Sequence, residues 1–280
     1  RKAGRMGRIV LLEGFVCEQE LIELQDYDLD VVVHSAGQID ILEKYQGSKI
    51  TVWLKLDTGM NRLGFKAVEY AAAYNRLLTC AQVNQPVFLM THLASADDKQ
   101  SQFTSQQVQL FKQTVKNYPG EKSIANSAGL IACSESLTDW VRPGIMLYGV
   151  SPFEETEGQE LGLKPVMSLH SRLIAVKKIN AGESVGYAST WTANKETLLG
   201  VVAIGYGDGY PRYAKSGTPV LVNGHRVALV GRVSMDMITV DLSDQNNAKA
   251  GDPVTLWGED LAVEEIASYA NTIPYTLLCG

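Results

Sequence analysis

Several apolar runs in the first half of the chain are followed by residues that can hold an anion or move a proton. ITVWLKL (50–56) leads into DTGMNRLG, which offers Asp57, Thr58 and Arg62. PVFLM (86–90) is followed by His92, SIA (123–125) by Asn126 and Ser127, and WV (140–141) by Arg142. Each residue alone has a plain reading. His92 could be a satisfied core histidine, Ser127 a helix N-cap and Arg142 a surface charge. An arginine inside WVRPGIML is costly unless it is paired, however. A serine at a helix start can also face an anion, because unsatisfied N–H groups point there. Four consecutive runs with polar groups at the same end make a site signal that no single residue makes.

The second half carries three further clusters. VGYAST (185–190) sets Tyr187 beside a glycine in a turn between strands. AIGYGDGYPR (203–212) surrounds Tyr206, Asp208 and Tyr210 with glycines. It is not GxGxxG and no strand-to-helix pattern frames it, so a dinucleotide reading is weak. A glycine-permissive loop of this kind lets a backbone approach a ligand. GRVSMDMI (231–238) places Asp236 at a strand start, and its Met235, taken alone, reads as a core residue.

The elements that would position these groups can be read from periodicity. RIVLL (8–12), LDVVVHS (29–35), ITVWLKL, PVFLMTH (86–92), SIAN (123–126) and WVRPGIMLYG (140–149) read as six strands. Continuous apolar runs suit strands buried on both faces of a parallel sheet. Helical spacing lies between them: Ile39 and Leu42 in 36–46, Val68, Ala71, Ala72 and Leu78 in 66–79, and Phe103, Val108, Phe111 and Val115 in 101–117. Repeated strand–helix alternation predicts a barrel or a doubly wound sheet, and in a barrel the polar groups above would stand at the C-terminal ends of the strands. SPFEETEGQELGLKP (151–165) reads as a linker. Beyond it the signals are antiparallel: RLIAVKKI (172–179), MDMITVDL (235–242), PVTLWG (253–258), and a hairpin at Asn223-Gly224 between two alternating runs. One helix is predicted near 261–270. The division expected is a partial β/α barrel over 1–155 and a mostly antiparallel β domain over 156–280.

Composition narrows the function classes. The chain has 280 residues, 45% of them hydrophobic, and a formal net charge of -6. That hydrophobic share excludes disorder as the main state. The mild acidity, without a Lys/Arg cluster, argues against general nucleic-acid binding. No apolar run approaches the roughly 20 residues that span a bilayer. Cys17, Cys80, Cys133 and Cys279 have no metal-ligand spacing and read as buried thiols of a reducing cytoplasm. No metal is expected.

KLDTGMNRLGF, THLASAD, NSAG, DWVRPGIMLYG, VGYAST, AIGYGDGYPR and VGRVSMDM, in this order and spacing, resemble the bacterial alanine racemases along essentially the whole chain. The resemblance implies a (β/α)8-type barrel followed by a β domain, pyridoxal 5'-phosphate (PLP) as cofactor, alanine as substrate, and D-alanine supply for peptidoglycan or its degradation. It also implies a cytoplasmic head-to-tail homodimer with shared active sites. Residue by residue, Tyr187 matches a tyrosine base that reaches the cofactor of the partner subunit. Arg142 matches the arginine facing the pyridine nitrogen. Ser127, the amides of Gly144 and Ile145, and Tyr275 match phosphate contacts, with Asn126 beside them. Arg62 and the Met235 amide match the groups on the substrate carboxylate. His92 matches the histidine linking tyrosine and arginine, and Tyr206 and Asp236 match the substrate entrance. Lys55 matches a lysine that carries a carbamate in some members.

Racemisation removes a proton from Cα and delivers another to the opposite face, so two acid/base groups on opposite faces suffice. A free tyrosine titrates near 10, about three units too high for an easy base at neutral pH. Cationic or hydrogen-bonding neighbours favour its phenolate, and His92 and Arg62 are candidates.

One part of the family pattern has no match. The lysine that binds the cofactor covalently sits in a motif of the type VKANAYGHG, and these 280 residues contain none. Lys2 lies in no such context. The resemblance starts at the third barrel strand, and six strands leave a barrel open at two edges. The chain beginning at Arg1 therefore reads as a racemase whose ends are missing from this sequence. The alternatives are an inactive fragment that binds PLP phosphate or a partner, and a racemase of broader specificity. A related barrel decarboxylase is disfavoured, because it would present an acidic group to the pyridine nitrogen where WVRPG presents arginine.

Overall fold

The central strands of the first half, Asp30–Val33, Val52–Lys55 and Phe88–Met90, are buried at every residue because both of their faces are covered. The computed structural model describes residue 4 and residues 7–279; Arg1 and Lys2 lie outside the described residues. Two compact units divide the chain, Arg1–Gly144 and Ile145–Gly280.

The first unit runs β1 (Val10–Leu11), α1 (Glu18–Asp26), β2 (Asp30–Val33), α2 (Ala36–Lys44), β3 (Val52–Lys55), α3 (Ala67–Thr79), β4 (Phe88–Met90), α4 (Phe103–Val115), β5 (Lys122–Ser123) and α5 (Ser127–Ala132). The five strands form one parallel sheet in sequence order. Val32, Trp53 and Phe88 lie in one register row, and Trp53 and Phe88 pack with ring centroids 4.7 Å apart. Strand residues two apart share a face. Lys55 therefore stands on the Trp53 face, at the C-terminal end of β3. The sixth run does not form a strand. Trp140 makes a single parallel bridge to Ser123, and residues 145–148 curl into a 3-10 turn. Pro143 has no N–H to extend a ladder.

Helix α3 presents a different face from the one its aliphatic residues suggest. Tyr70, Ala73, Tyr74 and Leu77 are buried, whereas Val68 is 91% exposed and Leu78 also faces solvent. Spacing of three, four and seven suits either stripe, and the tyrosine rings decide because they remove more apolar area from water. Tyr74 packs on Tyr118 at 4.3 Å, and the Tyr70 hydroxyl donates to the Leu54 carbonyl. Tyr70→Ala should cost about 3–5 kcal/mol, and Val68→Ala no more than about 0.5 kcal/mol. Urea unfolding of the two variants checks this, and the reverse order would overturn the assignment.

The second unit is a closed antiparallel barrel of β6 (Leu169–Ile179), β9 (Thr197–Val202), β10 (Pro219–Val222), β11 (His225–Leu229), β12 (Ile238–Asp241) and β13 (Pro253–Trp257), in the order β10-β11-β12-β9-β6-β13. A separate hairpin pairs β7 (Ser184–Val185) with β8 (Trp191–Thr192), and α6 (Val263–Tyr269) and α7 (Pro274–Cys279) follow the barrel. Asn223 and Gly224 both have positive φ and form the two-residue turn between β10 and β11, as an Asn-Gly hairpin requires. The stretch 151–165 is tied down in this unit and does not behave as a free linker. Phe153 is buried, and the amides of Ser151 and Gly158 both donate to the Glu264 carboxylate.

All four cysteines are free thiols, but only Cys80 is buried, and Cys17 and Cys279 are exposed. Among the described residues no helix is long and apolar enough to cross a membrane, and no three His, Cys, Asp or Glu side chains group to hold a metal ion.

Candidate active site

Lys55, Asp57, Arg62, His92, Asn126, Ser127 and Arg142 follow or end β3, β4 and β5 or lie just beyond them, so the first unit gathers them at one end of its sheet. Arg142 is the centre. One guanidinium nitrogen donates to the Ser123 hydroxyl. The other donates to the Thr91 carbonyl at 2.6 Å and the Ile124 carbonyl at 3.2 Å, and meets His92 Nδ1 at 3.3 Å. These partners are neutral acceptors, so no carboxylate quenches the cation. Burial lowers its pKa to about 10, which leaves it charged at neutral pH.

His92 Nδ1 accepts from Arg142, which leaves the ring proton of the neutral imidazole on Nε2. Burial, reinforced by Arg142, Lys55 and Arg62, pushes the His92 pKa down to about 4. Lys55 is itself buried, and its pKa is lowered by burial and by the two arginines, with Asp57 acting in the opposite sense. Three cations around a neutral histidine make a pocket suited to anions.

A group held neutral by the fold takes up its proton on unfolding. Below its ordinary value of 6.5 the unfolded His92 binds a proton that the native ring refuses until about pH 4. Stability should therefore fall as pH drops through that window, by on the order of 2 kcal/mol. His92→Gln should remove that part of the acid sensitivity. Urea midpoints at pH 7 and pH 4.5 measure it, and equal losses in both proteins would refute the assignment.

Arg62 is presented by a pinned turn. The buried Asp57 carboxylate accepts from the amides of Gly59 and Asn61 and from Lys66 Nζ, and Lys66 Nζ also reaches Asn61 Oδ1. Burial works against these bonds, which together hold the Asp57 pKa below its ordinary value. Asn61 has positive φ. The sequence reading noted Asp57 but missed Lys66 and Asn61; the short DTGMNRLGFK spacing was the available signal.

At the start of α5 the N-cap is Asn126, whose side chain accepts from the Gly129 amide. Ser127, the first helical residue, is buried, and its hydroxyl accepts from the Gly144 amide at 2.8 Å. A Cβ on Gly144 would find only the Ser127 hydroxyl within 4 Å, at 3.9 Å. That side is open enough for an anion, which would compete with the Ser127 hydroxyl for the Gly144 N–H.

The remaining residues belong to the second unit. Ile145 is buried at its start. Tyr187 is 72% exposed in the β7–β8 loop, where Gly186, Ala188 and Ser189 all have positive φ. A Cβ on Gly186 would lie 3.5 Å from the Arg232 amide nitrogen, so this loop abuts the segment leading to Met235. The glycine loop packs on that segment too. Tyr206 N donates to the Ser234 carbonyl and Gly207 N to the Met235 carbonyl, and a Cβ on Gly205 would fall 2.2 Å from the Met235 oxygen. Glycine here permits a backbone-to-backbone approach and brings Tyr206, Met235 and Asp236 together. Met235 is 55% exposed and not a core residue. Tyr275 lies near the start of α7 and is exposed.

The family model described as the alanine racemase N-terminal domain matches residues 1–152, and that of the C-terminal domain matches 166–280. The chain belongs to the alanine racemase family. Alanine racemase of Shewanella amazonensis is 52% identical over 279 residues, which cover 99% of this chain and 77% of that relative. The Shewanella frigidimarina enzyme is 50% identical over the same share of this chain and 75% of its own. The biosynthetic alanine racemase of Pseudomonas aeruginosa superposes with a TM-score of 0.95 at 43% identity, over 99% of this chain and 78% of that one. An alanine racemase from Bartonella henselae, solved with covalently bound pyridoxal phosphate, gives 0.85 at 30% identity, over 97% and 76%. Alanine racemases are PLP-dependent isomerases, and a hydroxyl beside an open glycine at Ser127 and Gly144 and a desolvated cation at Arg142 are chemistry that suits an anionic, phosphorylated cofactor.

Proposed function

We propose that the chain interconverts L- and D-alanine with PLP by a two-base mechanism, as a cytoplasmic homodimer, supplying or degrading D-alanine of the peptidoglycan. The observation that carries this is Arg142, a desolvated cation whose protein partners are all neutral acceptors. An aromatic ring nitrogen facing it stays unprotonated. Bound PLP supplies an electron sink for the charge left when Cα loses its proton.

The chain's own residues then divide the work. Ser127, the Gly144 and Ile145 amides and Tyr275 hold the phosphate, beside Asn126. Arg62 holds the substrate carboxylate together with the amide of Met235 of the partner subunit, because the Tyr187 loop abuts the segment leading to Met235, and this fixes the Cα–H bond relative to the bases. Tyr187 of the partner subunit exchanges the proton on one face of Cα. The His92 Nε2–H donates to that tyrosine oxygen, and burial together with the cations behind His92 keeps the ring neutral. Tyr206 and Asp236 line the approach of substrate. Burial, with Arg62 and Arg142 beside it, lowers the Lys55 pKa, which eases loss of its proton to give the neutral amine that reacts with carbon dioxide. Its carbamate would place an anion against Arg62 and fix that side chain.

Intact mass before and after borohydride, with D-alanine formation from L-alanine, tests the reading. A reducible adduct of cofactor mass together with D-alanine supports it. A mass of 30.6 kDa with no adduct and no D-alanine would sink it for this chain.

A further inference from the structure

Gln107 on α4 is fully buried and spends its whole amide on the strand ends. Its Nε2 donates to Thr58 Oγ1 at 3.1 Å and to the His92 carbonyl at 3.2 Å, and its Oε1 accepts from the Ala94 amide at 2.9 Å. Thr58 Oγ1 lies 2.8 Å from Thr91 Oγ1, and Thr91 Oγ1 donates to the Leu56 carbonyl at 2.9 Å. One side chain thus ties the turn after β3 to the turn after β4. It holds the His92 carbonyl and the Ala94 N–H directly and the Thr91 side chain through Thr58, on either side of the Thr91 carbonyl and the His92 ring that meet Arg142. A leucine could fill the same space without a buried amide to satisfy. The amide's distinctive contribution is to fix peptide planes, and a fully satisfied buried network does so with little slack.

We propose that Gln107 is a positioning residue: it locks residues 91–94 so that the Thr91 carbonyl and the His92 ring grip the Arg142 guanidinium. What that grip serves rests on the racemase reading above, but the grip itself can be tested without it. Lys55, Arg62 and Arg142 are the charged groups that act on His92, so its titration reports whether the ring stays where those cations hold it.

The measurement is NMR of the full chain labelled with carbon-13 histidine, without cofactor. The sequence has four histidines, and His92→Gln assigns the resonance. In the unmodified chain His92 should titrate near 4. Gln107→Met removes both donors and should raise that value by about one unit or more, as the ring swings toward water. Gln107→Asn, which keeps a neutral amide but loses reach, should do the same and serves if Gln107→Met does not fold. Phe111→Leu, on the buried face of the same helix, should lower Tm and leave the titration unmoved. In the PLP-loaded enzyme kcat should fall about tenfold to a hundredfold, with KM for alanine nearly constant. If the Gln107 variants lose Tm while His92 titrates as before, Gln107 is structural only and the proposal fails. If His92 shifts but kcat holds, positioning stands and the role given to His92 and Arg142 fails.

Discussion

Arg142→Glu should slow racemisation by about 10²-fold or more and raise the share of turnover lost to transamination. The guanidinium donates to Ser123, Thr91 and Ile124, all acceptors. A carboxylate in its place faces the same acceptors and meets repulsion or takes a proton. Leaving buried carbonyls without donors costs about 1–3 kcal/mol each, so some loss of Tm accompanies the kinetic change. The kinetic signature is separable. In the proposed arrangement Arg142 would hold the ring nitrogen of the cofactor unprotonated and so limit how much charge the cofactor could draw from Cα. A glutamate there would favour a protonated ring nitrogen and a stronger electron sink, which is the condition under which transamination competes with racemisation. The ratio of pyruvate to D-alanine formed from L-alanine measures this. Arg142→Lys keeps the charge and should leave the ratio low even where its weaker grip lowers kcat. A pyruvate ratio in Arg142→Glu equal to that of the unmodified enzyme would count against the role.

The parallel strands and the Asn223-Gly224 hairpin were legible because continuous apolar runs and an Asn-Gly turn each have few structural solutions. The buried face of α3 was not. Two stripes share its helical period, and only the ring packing of Tyr70 and Tyr74 on Tyr118 chooses between them. The strand reading of 140–149 failed for a local reason: an apolar run that contains Pro143 cannot complete a ladder. In the site, Arg142 was legible because a charge inside an apolar run demands partners. Its partners were not legible, since two of them are backbone carbonyls, Thr91 and Ile124, and any residue type supplies those. Gln107 was invisible for the opposite reason. A glutamine on a helix reads as a surface residue unless the three groups it satisfies are known. Sequence pattern thus reports groups that are costly to bury. It is silent on the groups that make burial affordable.

Tyr187→Phe should reduce racemisation in both directions by about 10²–10⁴-fold, while Cα–H exchange with solvent survives for one enantiomer only. Each proton of a two-base reaction is handled on its own face, so removing one base stops exchange from that face and spares the other. Proton NMR of L-alanine and of D-alanine in deuterium oxide, each with the variant enzyme, reads the two faces separately. The substitution is conservative for the fold. Tyr187 is exposed, and the left-handed residues Gly186, Ala188 and Ser189 shape its loop through the backbone, which phenylalanine leaves alone. Stability should therefore change by no more than about 0.5 kcal/mol. A third variant tests the proposed link between this base and His92. His92→Gln retains a donor but removes the ring proposed to link the cations behind it to the tyrosine of the partner subunit. It should slow exchange on the same face that Tyr187→Phe silences and spare the other. Equal loss of exchange on both faces in Tyr187→Phe would show that the tyrosine shapes the site and does not carry a proton. Faces that separate in Tyr187→Phe but fall together in His92→Gln would keep the tyrosine as a base and break its link to His92.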